Sequence, residues 1–305
     1  MTTTTARNIA PSAKVLAGIG IFMLTCAILL GLFSLTNYLR TRDYGNEVAS
    51  AQGVTRLDIS GDPENLEVVC GQVDKFVLEQ KNVRKKTTIE RDGDVLKVSA
   101  PSTPWYRDIV VSFHSPTLKL TMPRDVCDGR LSVKTRVGSA DLRIESKMKD
   151  VSLKSGSGNT KFVGTAESLT SNVGSGEIDV DAKVKKDVSL EAGSGDLKFA
   201  GTARSLSGKV GSGQINVDAT VKGRAKLKAS SGDVSGQINS VPDSLSVEVG
   251  SGDVRLALPR GLYFVKSDVG SGEFNNKLDI DKSGKPCDID VKVGSGDVNL
   301  KRLAK

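Results

Sequence analysis

Aromatic side chains are scarce in this chain, at 4% of 305 residues, and histidine and tryptophan occur once each, as His114 and Trp105. One histidine leaves little for general acid–base chemistry, and no serine stands in a Gly-x-Ser-x-Gly setting that opens a helix. A phosphate-binding loop is missing, because Gly284-Lys285 runs into Pro286 with no glycine five residues ahead. The glycines from Gly193 to Gly201 do not match dinucleotide spacing, and sugar binding, which leans on exposed aromatic rings, has one tryptophan to draw on. These absences point away from an enzyme and from any cofactor. Charge is no more selective: 43 basic against 36 acidic side chains give a net +7, a mild excess compatible with anionic polymers but without a nucleic-acid recognition motif.

What the chain has in abundance is glycine, 32 in all, much of it in one phrase, Gly-Ser-Gly followed by a polar residue. Its copies begin at Gly138, Gly156, Gly174, Gly193, Gly211, Ser230, Gly250, Gly270 and Gly294, with successive spacings of 18, 18, 19, 18, 19, 20, 20 and 24. A nearly fixed period of this length marks a repeat architecture. Before each phrase apolar residues fall two apart, as in Val188, Leu190 and Ala192, and after it alternation resumes, as in Ile178, Val180, Ala182 and Val184. That is strand periodicity. The step across the phrase is odd, five residues from Val173 to Ile178, so a straight strand would put one run on the wrong face. The phrase is therefore a corner, and its glycines supply the backbone freedom a tight bend needs.

A longer duplication overlies the short one. Residues 156 to 192 align with 193 to 229 without a gap, 22 of 37 positions being identical, so a Lys-Phe-x-Gly rung alternates with a Val-Asp-Ala rung. About 18 residues at roughly 3.3 Å each make a loop of about 60 Å, enough for one coil of a parallel β-solenoid whose coils lie roughly 4.8 Å apart. An antiparallel sandwich also has short strands and frequent turns, but nothing in it requires the same corner nine times. The expected fold is all-β, a right-handed parallel β-solenoid over residues 131–301, with 54–130 as a degenerate β region capping it.

Residues 1–14 form a polar tail. From Val15 to Leu39 there are 25 residues without a charge, roughly 37 Å as a helix, enough to cross a hydrocarbon core of about 30 Å. The run outlasts a signal-peptide core, and the nearest small-x-small site, Ala49-Ser50-Ala51, lies beyond it, so 15–39 is expected to be an uncleaved transmembrane helix. Cys26 within it reads as a small apolar filler. Basic residues flank both ends, Arg7 and Lys14 before and Arg40 and Arg42 after, so the positive-inside count is a tie. A glycine-rich β repeat behind a short tail favours a single-pass cell-membrane protein with its C-terminal domain extracytoplasmic, and 40–53 reads as a linker.

Three cysteines remain, Cys70, Cys127 and Cys287; a Cys70–Cys127 bridge and three free thiols are both open. The basic cluster Lys81, Arg84, Lys85, Lys86 and Arg91 reads as a solvated hairpin face, or more sharply as a contact for lipid heads or wall polymers. The position after each phrase holds Asp141, Asn159, Glu177, Asp196, Gln214, Asp233, Asp253, Glu273 and Asp297. Stacked carboxylates roughly 5 Å apart could hold a hard divalent cation. Acidic residues beside glycine are also ordinary turn formers, and the period is twice that of calcium-binding nonapeptides, so no metal is expected.

One membrane helix, then Leu120-Thr121-Met122-Pro123, then rungs such as Val249-Gly250-Ser251-Gly252-Asp253-Val254, resembles the bacterial adhesin-like family of β-strand-repeat proteins called domain of unknown function 4097. The resemblance covers roughly Val54 to Leu300. It implies an envelope-associated β-solenoid acting as a non-catalytic structural or interaction module, with anionic envelope polymers or surface proteins as partners. It carries no catalytic residues. Two rivals stay open: a surface polysaccharide-processing enzyme, and an inward-facing scaffold of a membrane signalling complex.

Overall fold

The computed structural model describes residues 11–38, 42–63, 65–101, 117–278 and 287–303. Expectations resting on the tail before residue 11, on Arg40, Trp105 and His114, and on the loop from 279 to Pro286 lie outside the described residues.

Helix α1 (Pro11–Tyr38) contains nearly all of the expected span and begins with proline at a first-turn position, where its missing N–H costs nothing. Its side chains are described over 18–32. Ile21, Phe22, Met23 and Leu24 are each more than 60% exposed although consecutive residues point in different directions, so this stretch shows solvent no polar face and the protein no apolar one. Thr25 donates its hydroxyl to the carbonyls of Ile21 and Phe22, keeping that polar group inside the helix. Among the described residues no helix is long and apolar enough to cross a membrane.

Beyond α1 the described chain is all-β, with its strands in two sheets of 13 and 12 strands. One coil shows how the sequence builds them. Ser168–Ser175 enters the phrase in one sheet, the chain bends, and Ile178–Val184 leaves in the other. Val173 and Ile178 are both buried, as the odd step between them requires. The next coil pairs parallel and residue for residue, Leu169 with Val188 in the first sheet and Val180 with Phe199 in the second. Like residues thus pile up in rows between the sheets.

The two-rung duplication has a packing reason. In one inner row Phe162, Val180, Phe199 and Val217 follow one another, while two residues on the row reads Gly164, Ala182, Gly201 and Ala219. A rung with one large and one minimal residue alternates with a rung of two intermediate ones, so interior volume per coil stays nearly constant, as close packing demands. Ser171 is the weak point of its strand: it lies inside, flanked by Leu153 and Leu190, and its hydroxyl has no partner.

Both ends depart from the sequence reading. Strand β1 (Gly45–Ser50) pairs antiparallel with β4 (Lys75–Lys81), so the supposed linker 40–53 contributes an edge strand. Strands β2 (Arg56–Gly61) and β3 (Leu66–Gly71) form a full coil, as do β6 (Val95–Ser99) and β7 (Thr117–Pro123), so most of 54–130 is solenoid. The cap proper is β1, β4 and β5 (Thr88–Asp92), the last joined to β6 through the Asp92-Gly93 turn.

Coil order also departs from chain order. The β2/β3 coil lies between β6/β7 and the Gly138 coil, and at the other end the Gly294 coil lies between those of Gly250 and Gly270. The last strand, Val298–Arg302, therefore has a ladder on each side, with Val254–Leu258 and with Phe274–Asn276, and a terminus that would fray at an edge is held on both flanks. At the N-terminal end the connection after β7 must pass the β2/β3 coil. Cys127 lies in that connection and is bridged to Cys70 at the end of β3. Cys287 is free and buried, and loss of solvent pushes its thiol up to about 11.

Candidate functional site: an acidic corner and a basic groove

The two corners of the coil differ in chemistry. At the first, the third residue of each phrase from Gly158 to Gly296 has φ between 103 and 136°, a region side chains rarely enter. A Cβ there would fall well under 3.0 Å from a backbone carbonyl of the coil beneath, and the same holds for the first glycine. Ser230 takes the first position in one coil and Ala140 the third in the lowest phrase, so neither position is glycine in every copy. The corner is thus built for close stacking of backbone.

The polar residue that follows serves the stack. Asp141 accepts from the backbone N–H of Asn159, Asn159 from Glu177, Asp196 from Gln214, Asp233 from Asp253, Asp253 from Asp297 and Asp297 from Glu273, at 2.8–3.0 Å. Each acceptor is Asp or Asn; Glu177 and Gln214, with one methylene more, make no such bond among the described residues, and Glu273 lies on the outermost described coil. The corner acids are therefore neighbours in one row, with one carboxylate oxygen of each Asp engaged by the backbone. Arg255 reaches both Asp233 and Asp253, and Lys198 binds Glu177 at 2.7 Å, which raises the lysine pKa. Among the described residues no group of three or more histidine, cysteine or carboxylate side chains is placed to hold a metal ion.

The basic cluster at the capped end is partly neutralised: Lys86 pairs with Glu47 at 2.5 Å, Lys81 with Glu79 at 3.8 Å, and Arg91 donates to the Gly93 carbonyl. Arg84 and Lys85 line a small cleft with Asp62.

A second feature lies at the opposite corner. Open grooves of 610 and 580 Å³ adjoin through Thr202 and Thr220 and run along the outer face of the second sheet. Backbone of Gly164, Ala182 and Gly201 lines the floor of the larger, and in the outward row Ala200, between Asp181 and Asp218, offers little side chain. Its walls carry Lys147 and Lys183, and the smaller groove carries Lys185, Arg204 and Lys222; none of the five makes an ion pair among the described residues. Register explains the spacing: Lys147, Thr165, Lys183, Thr202 and Thr220 succeed one another on five coils, so the two lysines stand two rungs, roughly 10 Å, apart. The opposing carboxylates are Asp181, Asp218 and Asp243. Asp218 is held below its usual range by donors on Gln237 and Asn239, so it is an anion with its own partners and a poor proton donor.

No signal in the sequence marked this groove. Its five cations come from four coils, only Lys183 and Lys185 being close in sequence, and a lysine facing out of a strand is unexceptional.

No curated protein sequence matches the chain. Solved structures that resemble it include a candidate adhesin from Bacteroides fragilis (13% identity, 85% of this chain and 96% of that one, TM-score 0.43), another from Parabacteroides merdae (13%, 85% and 96%, 0.36) and a candidate lipid-binding protein from Parabacteroides distasonis (15%, 86% and 98%, 0.36). The Toastrack family model, DUF4097, matches residues 54–301, the whole of the stack from β2 to the last coil. The chain belongs to the Toastrack (DUF4097) family.

Proposed function

We propose that this protein is a single-pass, cell-membrane-anchored β-solenoid of the bacterial envelope, right-handed, with its C-terminal domain outside the cytoplasm, serving as a non-catalytic interaction module. A right-handed coil follows the general hand of parallel strand connections. The uncharged run Val15–Leu39 supports the anchor. The Cys70–Cys127 bridge supports an oxidising compartment, and so weighs against an inward-facing scaffold. Asp218, held below its usual range by donors on Gln237 and Asn239, is disfavoured as a general acid for the polysaccharide-processing reading.

The observation that carries the reading is the groove: Lys147, Lys183, Lys185, Arg204 and Lys222 make no ion pair among the described residues, and they outnumber the carboxylates Asp181, Asp218 and Asp243 that line it with them. Such a surface takes an extended polyanion lying along the solenoid, whose charges meet cations at intervals of two rungs. The test uses the full chain in detergent, with polyphosphate as the probe. Binding is expected to weaken steeply with salt, since each neutralised charge releases a counterion. Replacing Lys147, Lys183 and Lys222 together by Glu should weaken it at least about tenfold, roughly 1.4 kcal/mol. Neutralising the corner acids Asp196 and Asp233 to Asn should not weaken it. Unchanged binding in the triple variant would contradict the reading.

A further inference from the structure

The two ends of the stack are finished differently. Three strands running against or beside the coils close the N-terminal end, whereas among the described residues the C-terminal end stops at Tyr263–Ser271 in one sheet and Phe274–Asn276 in the other. The interior rows continue onto that last coil but are not covered. Val265 and Val269 are only partly buried and Phe274 is 38% exposed, while their neighbours one coil inward, Ile289, Val293 and Val298, are at most 3% exposed. A nine-residue strand that is an edge strand among the described residues is a ready template for another strand, and soluble proteins normally blunt or cover such edges.

We infer that this end is a self-association surface, on which Tyr263–Ser271 pairs antiparallel with the same strand of a second copy about a twofold axis through Ser267. The sequence of the strand is complementary to itself in that register. Lys266 falls opposite Asp268 of the second copy and Asp268 opposite its Lys266; among the described residues neither makes an ion pair. Val265 falls opposite Val269, both on the inward face, so the unfinished apolar row of one copy continues into the other. Phe264, 42% exposed on the outer face, falls opposite Gly270, the arrangement in which an aromatic ring covers a bare glycine on a neighbouring strand.

Symmetry strengthens the case. Antiparallel partners that keep their side chains on matching faces are related by an axis perpendicular to the sheet. Because the second sheet lies face to face with the first, that one axis also brings the two Phe274–Asn276 edges together, so both sheets run through the junction. The contact is isologous and closes at two copies, leaving no edge for a third. A foreign strand could use the backbone edge, but it would have no reason to match this charge pair, this apolar pair and this ring over glycine together.

The inference is independent of the polyanion groove, whose cations lie on coils far from this end. The test uses the full chain in detergent with Cys26→Ser and Cys287→Ser and one reporter cysteine. Under mild oxidation Ser267→Cys alone should give covalent dimers, because the residue faces itself. Lys266→Cys alone and Asp268→Cys alone should not, since identical positions are then about two residues offset, beyond disulfide reach, whereas the two mixed should. Sedimentation gives a second readout. Lys266→Asp or Asp268→Lys should each raise the dimer dissociation constant about tenfold, by turning two attractive cross-strand pairs repulsive, and the double exchange should restore it. A monomer at all concentrations, equal crosslinking at the three positions, or no rescue by the double exchange would overturn the inference.

Discussion

Gly195→Ala is expected to destabilise the solenoid by about 3 kcal/mol or more, against a change within about 1 kcal/mol for Gly208→Ala. The two glycines stand 13 positions apart and differ in what surrounds them. Gly195 has φ of 128°, and a Cβ would meet the carbonyl oxygen, carbonyl carbon and nitrogen of Gly176 on the coil below. Gly176 cannot give way, because its own N–H donates to Ser194 O and its carbonyl lies in the stack that continues beneath. The alanine must therefore accept both a strained dihedral and a backbone clash, or lift one coil off the next. At Gly208 the added methyl points into the interior and touches Leu227 Cδ2 at 3.2 Å, a flexible side-chain end, with Leu197 and Ile215 beyond. The gain from burying a methyl and from losing glycine's chain entropy offsets that crowding. Denaturant unfolding of the two variants measures the contrast. Equal losses would mean that the corner glycines are not held by stacking.

Removing the bridge by Cys70→Ser with Cys127→Ser is expected to cost about 4 kcal/mol, the loop-closure value for a separation of 57 residues. The loss should be local as well as large. The bridge ties the connection after β7 to the coil it passes over, so without it the β2/β3 coil keeps its ladders but loses the strap across its corner. Stability in a stacked repeat is close to a sum of local and nearest-neighbour contributions. Hydrogen exchange should therefore quicken over residues 56–71 and 117–131 and stay slow from 168 to 251. Uniform acceleration would show that the bridge acts on the whole chain and not on the crossing.

Much of this architecture was legible in the residues because the same side chains recur at the same corner. Val173 and Ile178, five apart and both apolar, demanded a bend, and the Phe162 and Phe199 rungs announced a two-coil unit. Coil order was not legible for the same reason. Backbone ladders carry the stacking, each coil presents nearly the same rows, and one coil fits on another whatever its place in the chain. The wider spacing of 24 before Gly294 was the one trace of a chain that must travel back past its neighbour. Strand β1 was hidden because Gly45-Asn46-Glu47-Val48-Ala49-Ser50 is polar and only its partner β4 makes it a strand.

The functional surfaces were less legible than the fold. The corner acids were visible, but not that Asp and Asn accept from the next coil's backbone while the longer Glu177 and Gln214 do not. Nor could spacing alone distinguish a lysine paired across coils, such as Lys161 with Asp179 at 2.5 Å, from Lys183, which is not. Both face outward from equivalent strands. The difference lies in what stands one coil away, and that depends on register.

The coils stack in parallel register, with the Gly294 coil inserted ahead of the Gly270 coil. Paired cysteines at Glu248, Lys292 and Asp268, which stand in one outer row, measure this directly. Neighbouring coils place Cα atoms roughly 4.8 Å apart, within disulfide reach, and alternate coils roughly 10 Å apart, outside it. Within one chain, 248 should bridge to 292 and 292 to 268, while 248 and 268 should not join. A bridge between 248 and 268 would contradict the order of coils, and no bridge in any pair would contradict the stack itself.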